Sequence, residues 1–349
     1  MTQRILLTGL GAHGFNTYIQ EVLPPLIAAG RIELVGLVDP KAEARRRAAS
    51  AIGLAQGAAF HDLASALAAT QADALIVCSP YLAHEADVKL AAASGLHLFI
   101  EKPVCGDPAS VLRCINFTDT YKVKAAVNMS ARFETEKLAF GEAVRSGAAG
   151  KVEYLFARSS WNHEANARFR AKTPHPYLME AGVHALDLLR ICAGGRPKRV
   201  FNLAWPSPQS VFKGNASNVV SFEMDNGVRC VLEGSWATRT GLATWREEYI
   251  RADGEAGSLL LDQRRLKTLQ GTAEDPNARI EREIPYQPEG PSGTTYLFHA
   301  FLDWLDGTRD DHPTEIHQNL DCMALLFAAI ESAETGQAVD VIEFLENAS

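Results

Sequence analysis

A short apolar run, Arg4-Ile5-Leu6-Leu7-Thr8, leads without a break into Gly9-Leu10-Gly11-Ala12-His13-Gly14. The run reads as a buried strand and the glycine pattern as a strand-to-helix turn. Gly9 permits the tight turn and Gly11 lets backbone N–H groups approach a pyrophosphate. Gly14 lets the following helix pack closely on the strand, with its positive end toward the phosphates. A second apolar strand, 32–38, ends in Asp39, and an acid there can accept hydrogen bonds from both hydroxyls of an adenosine ribose. The expectation is a dinucleotide-binding βαβ unit with Gly9, Gly11, Ala12, His13, Gly14 and Asp39 at the cofactor. The rival reading, an ordinary glycine turn beside a surface aspartate, does not account for the whole βαβ context.

Strands near 4–8, 32–38, 73–78, 97–101 and 123–127 alternate with helical patterns rich in alanine and leucine. Such alternation implies a parallel sheet with helices on both faces. After Asn128 a helix at 132–147 gives way to alternating apolar residues, clearest in 218–224 and 228–236. Between these lies Asp225-Asn226-Gly227, a hairpin signal. Further strands are expected near 199–205, 245–253, 258–262, 265–269 and 280–284, with closing helices near 293–306 and 315–335. The fold class is therefore α/β: a Rossmann dinucleotide-binding domain at 1–128 and, at 129–349, a substrate-binding domain with a large, open, mostly antiparallel sheet. The helix 315–335 is a candidate to pack back toward the first domain. A length of 349 residues suits two such domains.

A net charge of −8 argues against a nucleic-acid partner, and Arg45-Arg46-Arg47 reads as a solvated helix face. No apolar segment is long enough for a bilayer and the N-terminus lacks a signal-peptide layout, so a cytoplasmic protein is expected. Six cysteines without C-x-x-C spacing fit reduced thiols.

Two clusters carry candidate chemistry. Glu101-Lys102-Pro103 ends the apolar strand 97–101. An ammonium there can stabilise a developing alkoxide or act as a general acid, or it is simply a loop lysine paired with Glu101. Downstream, Glu180, His184 and Asp187 share one face of a predicted helix. An imidazole can carry a proton near neutrality and a carboxylate can orient it. The alternative is a satisfied histidine beside a structural acid. No second histidine or cysteine stands at ligand spacing, so no metal is expected.

Gly9-x-Gly11-x-x-Gly14, Ser79-Pro80 with His84, Glu101-Lys102-Pro103, Arg132-Phe133 and Gly182-x-His184-x-x-Asp187 occur in one order along the chain. In this set the sequence resembles the glucose-fructose oxidoreductase/inositol dehydrogenase (Gfo/Idh/MocA) family over essentially its whole length. The resemblance implies an NAD cofactor, NADP being possible, with Ser79, Pro80, His84, Glu101 and Lys102 adding to its binding residues. It also implies that Lys102 belongs to the reaction centre and that His184 is the acid/base partner, supported by Glu180. Arg132, Trp161, Asn162, Arg168, His175 and Asp187 are the remaining substrate-pocket candidates. Two departures stand out, Glu180 where many members carry Asp and Tyr81 where they carry Asn. The implied activity is hydride transfer between the nicotinamide and a secondary alcohol or carbonyl of a polyol, sugar or related small polar compound. An NAD-assisted glycosidase and a non-catalytic cofactor-binding regulator are the alternatives. The resemblance also implies a homodimer or homotetramer joined through the second sheet, where Val219, Phe222, Val231 and Leu232 supply apolar surface.

Overall fold

The structure is a computed structural model, which describes residues 2–239, 247–272, 274–275, 277–287 and 290–348. The chain forms two compact units, Met1–Met129 with Thr294–Leu320, and Ser130–Gly293 with Asp321–Ser349.

The first unit is built on six parallel strands: β1 (Gln3–Thr8), β2 (Ile32–Val38), β3 (Ala59–Phe60), β4 (Ala74–Val77), β5 (His97–Ile100) and β6 (Ala125–Val127). Their order is β3-β2-β1-β4-β5-β6. The apolar runs form strands here because both faces are covered: Leu6, Leu7, Leu75, Ile76, Leu98 and Phe99 are all fully buried. The order reverses between β1 and β4, and the carboxyl ends of strands at such a reversal are where open α/β sheets hold ligands.

The later segment 294–320 belongs to this unit, whereas the sequence reading put 129–349 in the second domain and offered only the helix 315–335 as a candidate to pack back toward the first. The physical reason is aromatic packing. Phe298 and Phe301 of the helix Gly293–Leu305 set their rings 5.2 and 5.4 Å from Phe99. Beyond that helix, Val127 donates its N–H to Thr314 O at 2.9 Å, so the returning chain satisfies the outer edge of β6.

The second unit carries nine strands: β7 (Val152–Ser160), β8 (Pro197–Trp205), β9 (Ser217–Met224), β10 (Arg229–Ser235), β11 (Tyr249–Gly254), β12 (Gly257–Asp262), β13 (Arg265–Gln270), β14 (Ile280–Glu283) and β15 (Val339–Asp340). Their order is β14-β13-β12-β11-β7-β10-β9-β8-β15. All neighbours are antiparallel except β7 and β10. The hairpin at Asp225 to Gly227 forms as its residues require, with Gly227 at φ 87°. The first residues of the strand expected at 245–253 lie outside the described residues. One face of the sheet, with Leu155, Ala157, Val220, Leu232 and Ile250, is buried, and the helix Val183–Ala193 packs on β7 and β10. Among the described residues no helix is long and apolar enough to cross a membrane.

Candidate functional site

In the first unit the glycine-rich turn closes over the start of the crevice. A Cβ on Gly9 would stand 2.1 Å from Cys78 O, and one on Gly14 would stand 2.0 Å from Gly9 O. Both positions are therefore reserved for glycine by close backbone approach, and Gly9 also has φ +80°. A Cβ on Gly11 would meet nothing within 4 Å, so that side of the turn is open to a ligand's phosphates. Asp39, 8% exposed, accepts the Leu10 N–H through Oδ2 and the Lys41 N–H through Oδ1, both at 2.8 Å. The turn and the acid thus fit a dinucleotide.

In the run Arg45 to Arg47, Arg46 and Arg47 are exposed as the sequence suggested and Arg45 is half-buried, but two of the three also reach backbone carbonyls. Arg45 donates to the Asp39 and Pro40 carbonyls at 2.6 and 3.1 Å. Arg47 donates to Leu10 O at 3.1 Å and lies 4.0 Å over the Phe15 ring. Long stems laid along the turn bring these guanidinium donors to backbone carbonyls while much of the side chain stays in solvent. Asp39 stands where the hydroxyls of the cofactor's adenosine ribose are expected. NAD is expected to bind at least about tenfold more tightly than NADP, because a 2′-phosphate would face a like charge. Titrating both cofactors into the wild type and Asp39→Ser checks this: the variant should narrow the gap, and tighter NADP binding by the wild type contradicts it.

At the ends of β4 and β5, Ser79 Oγ donates to Asp87 Oδ2 at 2.6 Å, and Pro80 leads into a tight turn. Tyr81 and Leu82 lie against Gly106. His84 is buried, with Nε2 2.7 Å from Ser79 O and Nδ1 3.0 Å from Val104 O. Burial lowers its pKa, against the two carbonyls. His84 is therefore a brace between two strand-end loops. Glu101 is buried, and its Oε1 accepts from Tyr18 Oη at 2.7 Å, Asn128 Nδ2 at 2.7 Å and His13 Nε2 at 2.9 Å. Burial would raise its pKa, but the His13 charge and these hydrogen bonds hold it down at about 2. Lys102, next in the chain, is half-buried, and its peptide bond to Pro103 is cis.

In the second unit a π-wound turn, Leu178–Gly182, runs into the helix Val183–Ala193. Asp187, 1% exposed, is flanked by Arg132 Nε at 2.8 Å and Arg190 Nη2 at 2.9 Å. Its two oxygens serve those guanidinium groups, which ties the helix to the segment Ser130–Phe133. Glu180 pairs with Arg170 at 3.0 Å, a reach that its extra methylene over aspartate extends. His184 is half-buried and lines a cavity of about 20 Å³ with Ser159, Lys137 and Glu248, room for about one water. Buried Lys137 lies between Glu134 at 2.8 Å and Glu248 at 3.1 Å. Burial would lower the lysine's pKa, but the two carboxylates raise it above its usual value.

The other pocket candidates are spread out. Trp161 is buried in an aromatic cluster with His163 and Trp236. Asn162 pins its loop by donating to Thr238 O at 3.1 Å. Arg168 is exposed at φ +46°. His175 is buried, with Nε2 3.1 Å from Glu334 Oε1. Sequence reasoning missed Tyr18 and Asn128 around Glu101, and Lys137, Glu248, Arg170 and Arg190 around the helix. Tyr18, Asn128 and Arg190 could have been noticed as polar groups within apolar stretches, whereas Arg170 and Glu248 stand in charged runs that give no such signal.

Residues 4–129 match the family described as the oxidoreductase family with an NAD-binding Rossmann fold, and residues 137–260 match the GFO/IDH/MocA C-terminal domain. The chain belongs to the Gfo/Idh/MocA family. This Gfo/Idh/MocA protein is 31% identical to a protein called y4oX from Sinorhizobium fredii, over 99% of this chain and 98% of that one. It is 24% identical to a D-apiose dehydrogenase of Paraburkholderia graminis, over 88% of this chain and 83% of the relative. An oxidoreductase from Agrobacterium radiobacter, solved with NAD+, L-tartaric acid and magnesium, matches with a TM-score of 0.86 at 19% identity, covering 98% of this chain and 99% of that one. That likeness shows the shared fold. The Gfo/Idh/MocA protein is thus an NAD-binding oxidoreductase.

Proposed function

We propose that the protein is a dehydrogenase acting on a secondary alcohol, or the matching carbonyl, of a polyol, sugar or related small polar compound, with Lys102 and His184 handling the substrate oxygen. The observation that carries this is a division of labour on the helix Val183–Ala193. Asp187 and Arg190 are buried in ion pairs, while His184 keeps partial exposure beside a small, mostly apolar cavity that Lys137, Ser159 and Glu248 also line. The dehydrogenase name of the Paraburkholderia relative supports the same class. NAD, when bound, accepts or returns the hydride. The turn Gly9 to Gly14 and Asp39 would hold it. An imidazole titrates near neutrality and suits the hydroxyl proton, so His184 acts as base in the oxidising direction. The Lys102 ammonium stabilises the oxyanion that forms. Glu180, anchored by Arg170, supports the turn that presents His184. A panel of polyols, aldoses and sugar acids with NAD and with NADP tests this. Change in nicotinamide absorbance with at least one alcohol is expected, and silence across the panel with NAD demonstrably bound argues for a regulator.

The same reading includes self-association. The sheet face opposite the helices carries Tyr154, Phe156, Val219 and Val231 with exposed Leu203 and Trp205. Phe222 and Leu232, the even-numbered residues of the apolar set, point inward and are buried, because residues of odd and even position leave a strand on opposite sides. The remaining apolar patch suits a second copy of the chain. Light scattering should give a dimer or tetramer; a mass of 37.9 kDa at micromolar concentration means a monomer and contradicts it.

A further inference from the structure

The glycine-rich pattern asks nothing of its fifth position, yet His13 there does more than fill the turn. Its side chain is 52% exposed, while its Nε2 reaches down 2.9 Å to Glu101, whose side chain is only 7% exposed. The other ring nitrogen, Nδ1, lies 3.1 Å from Thr17 Oγ1. The imidazole is therefore the solvent-facing end of a chain that runs to a buried carboxylate. The titratable groups around it come from three elements. Tyr18, on the same helix, meets the ring edge-on at 6.1 Å. Cys78, after β4, brings its sulfur within 4.8 Å of a ring nitrogen of His13 and a carboxylate oxygen of Glu101. Glu101 and Lys102 follow β5. Burial drives the pKa of both Tyr18 and Cys78 well above the usual values, so both are neutral near pH 7. The charges that remain are those of Glu101 and Lys102.

We propose that His13 is the proton-linked cation of the cofactor site, whose protonated imidazole favours the dinucleotide's pyrophosphate and whose neutral form leaves the Glu101 carboxylate uncompensated beneath it. The inference rests on the turn being the NAD site. Two physical steps support it. An ionised carboxylate in hydrogen-bond contact favours the protonated imidazole. An anionic ligand placed beside the turn favours it further, so binding must draw a proton once the free imidazole has begun to lose its own. The sign follows: affinity is full at low pH, where His13 is already protonated, and falls as pH rises through the imidazole's titration. The fall is about tenfold for each unit by which bound cofactor raises the His13 pKa.

Isothermal calorimetry of NAD binding between about pH 6 and 9, in buffers of different ionisation enthalpy, measures the protons taken up. The wild type should take up a fraction of a proton at the alkaline end, with affinity falling over the same range. His13→Gln, whose amide N–H can take the place of Nε2 toward Glu101, should show no uptake and a flat affinity. Absence of uptake in the wild type, or equal uptake in His13→Gln, overturns the assignment while leaving the NAD site intact. Failure of the wild type to bind NAD at all would remove the site itself and the proposal with it. The histidine resonances of the wild type followed by NMR with and without NAD give a second readout that needs no variant: a His13 titration that NAD does not shift also overturns it.

Discussion

Replacing His184 with alanine is expected to lower kcat by roughly 10²–10⁴-fold, and Lys102→Met by a comparable factor, with NAD affinity changing far less. Removing hydride from an alcohol carbon yields a carbonyl only if the hydroxyl proton leaves as well, so some group of the protein must take that proton. His184 is half-buried at a helix face where the neighbouring acid, Asp187, is committed to Arg132 and Arg190. Loss of the imidazole therefore leaves the helix anchored and removes the chemistry. Lys102 follows a carboxylate that three donors already satisfy, so the Lys102→Met change leaves the Glu101 cluster in place. Glu180→Gln should have an intermediate effect, because it weakens the Arg170 pair rather than removing a reacting group. Steady-state kinetics on the three variants decide the matter, and near-wild-type kcat in both Lys102→Met and His184→Ala would remove these residues from the reaction.

Asp187→Ala is expected to destabilise the second unit by about 3–5 kcal/mol, the usual cost of breaking a buried ion pair from one side. The carboxylate is 1% exposed and stands between two guanidinium groups whose side chains are 12% and 8% exposed. Without it two positive charges face each other in the interior. A guanidinium stays charged near neutral pH even when buried, so the residual charge cannot be shed. Denaturant unfolding followed by tryptophan fluorescence measures the change. A loss below about 1 kcal/mol, the range of an exposed pair, would mean that the triad contributes little.

The parallel sheet was legible because its strands are buried on both faces and announce themselves as unbroken apolar runs, as in Ala74–Val77. The hairpin at Asp225 to Gly227 was legible because a tight turn demands particular residues. What the sequence hid depends on distant pairs. The helix Gly293–Leu305 carries an amphipathic pattern that says nothing of Phe99 as its partner. Arg45 and Arg47 read as a charged helix face, and nothing local shows that their guanidinium groups also reach the Asp39 and Leu10 carbonyls. The site divides in the same way. Gly9, Gly14 and Asp39 were readable from local spacing, because backbone approach and strand ends are local matters. The donors to Glu101 come from Tyr18 and Asn128, 83 and 27 residues away. Asp187 looked like a partner for His184 because helix spacing puts the two on neighbouring rows, and only the positions of Arg132 and Arg190 show where its oxygens go.

The central claim is net hydride transfer from a substrate carbon to the nicotinamide, and a deuterium tracer tests it directly. An active alcohol labelled at its carbinol carbon, incubated with the protein and NAD, should yield one deuterium in each NADH formed and none at that carbon of the carbonyl product. Label that returns to the sugar while a glycosidic bond is cleaved, with no net NADH, would contradict the claim and assign the chain to transient oxidation instead.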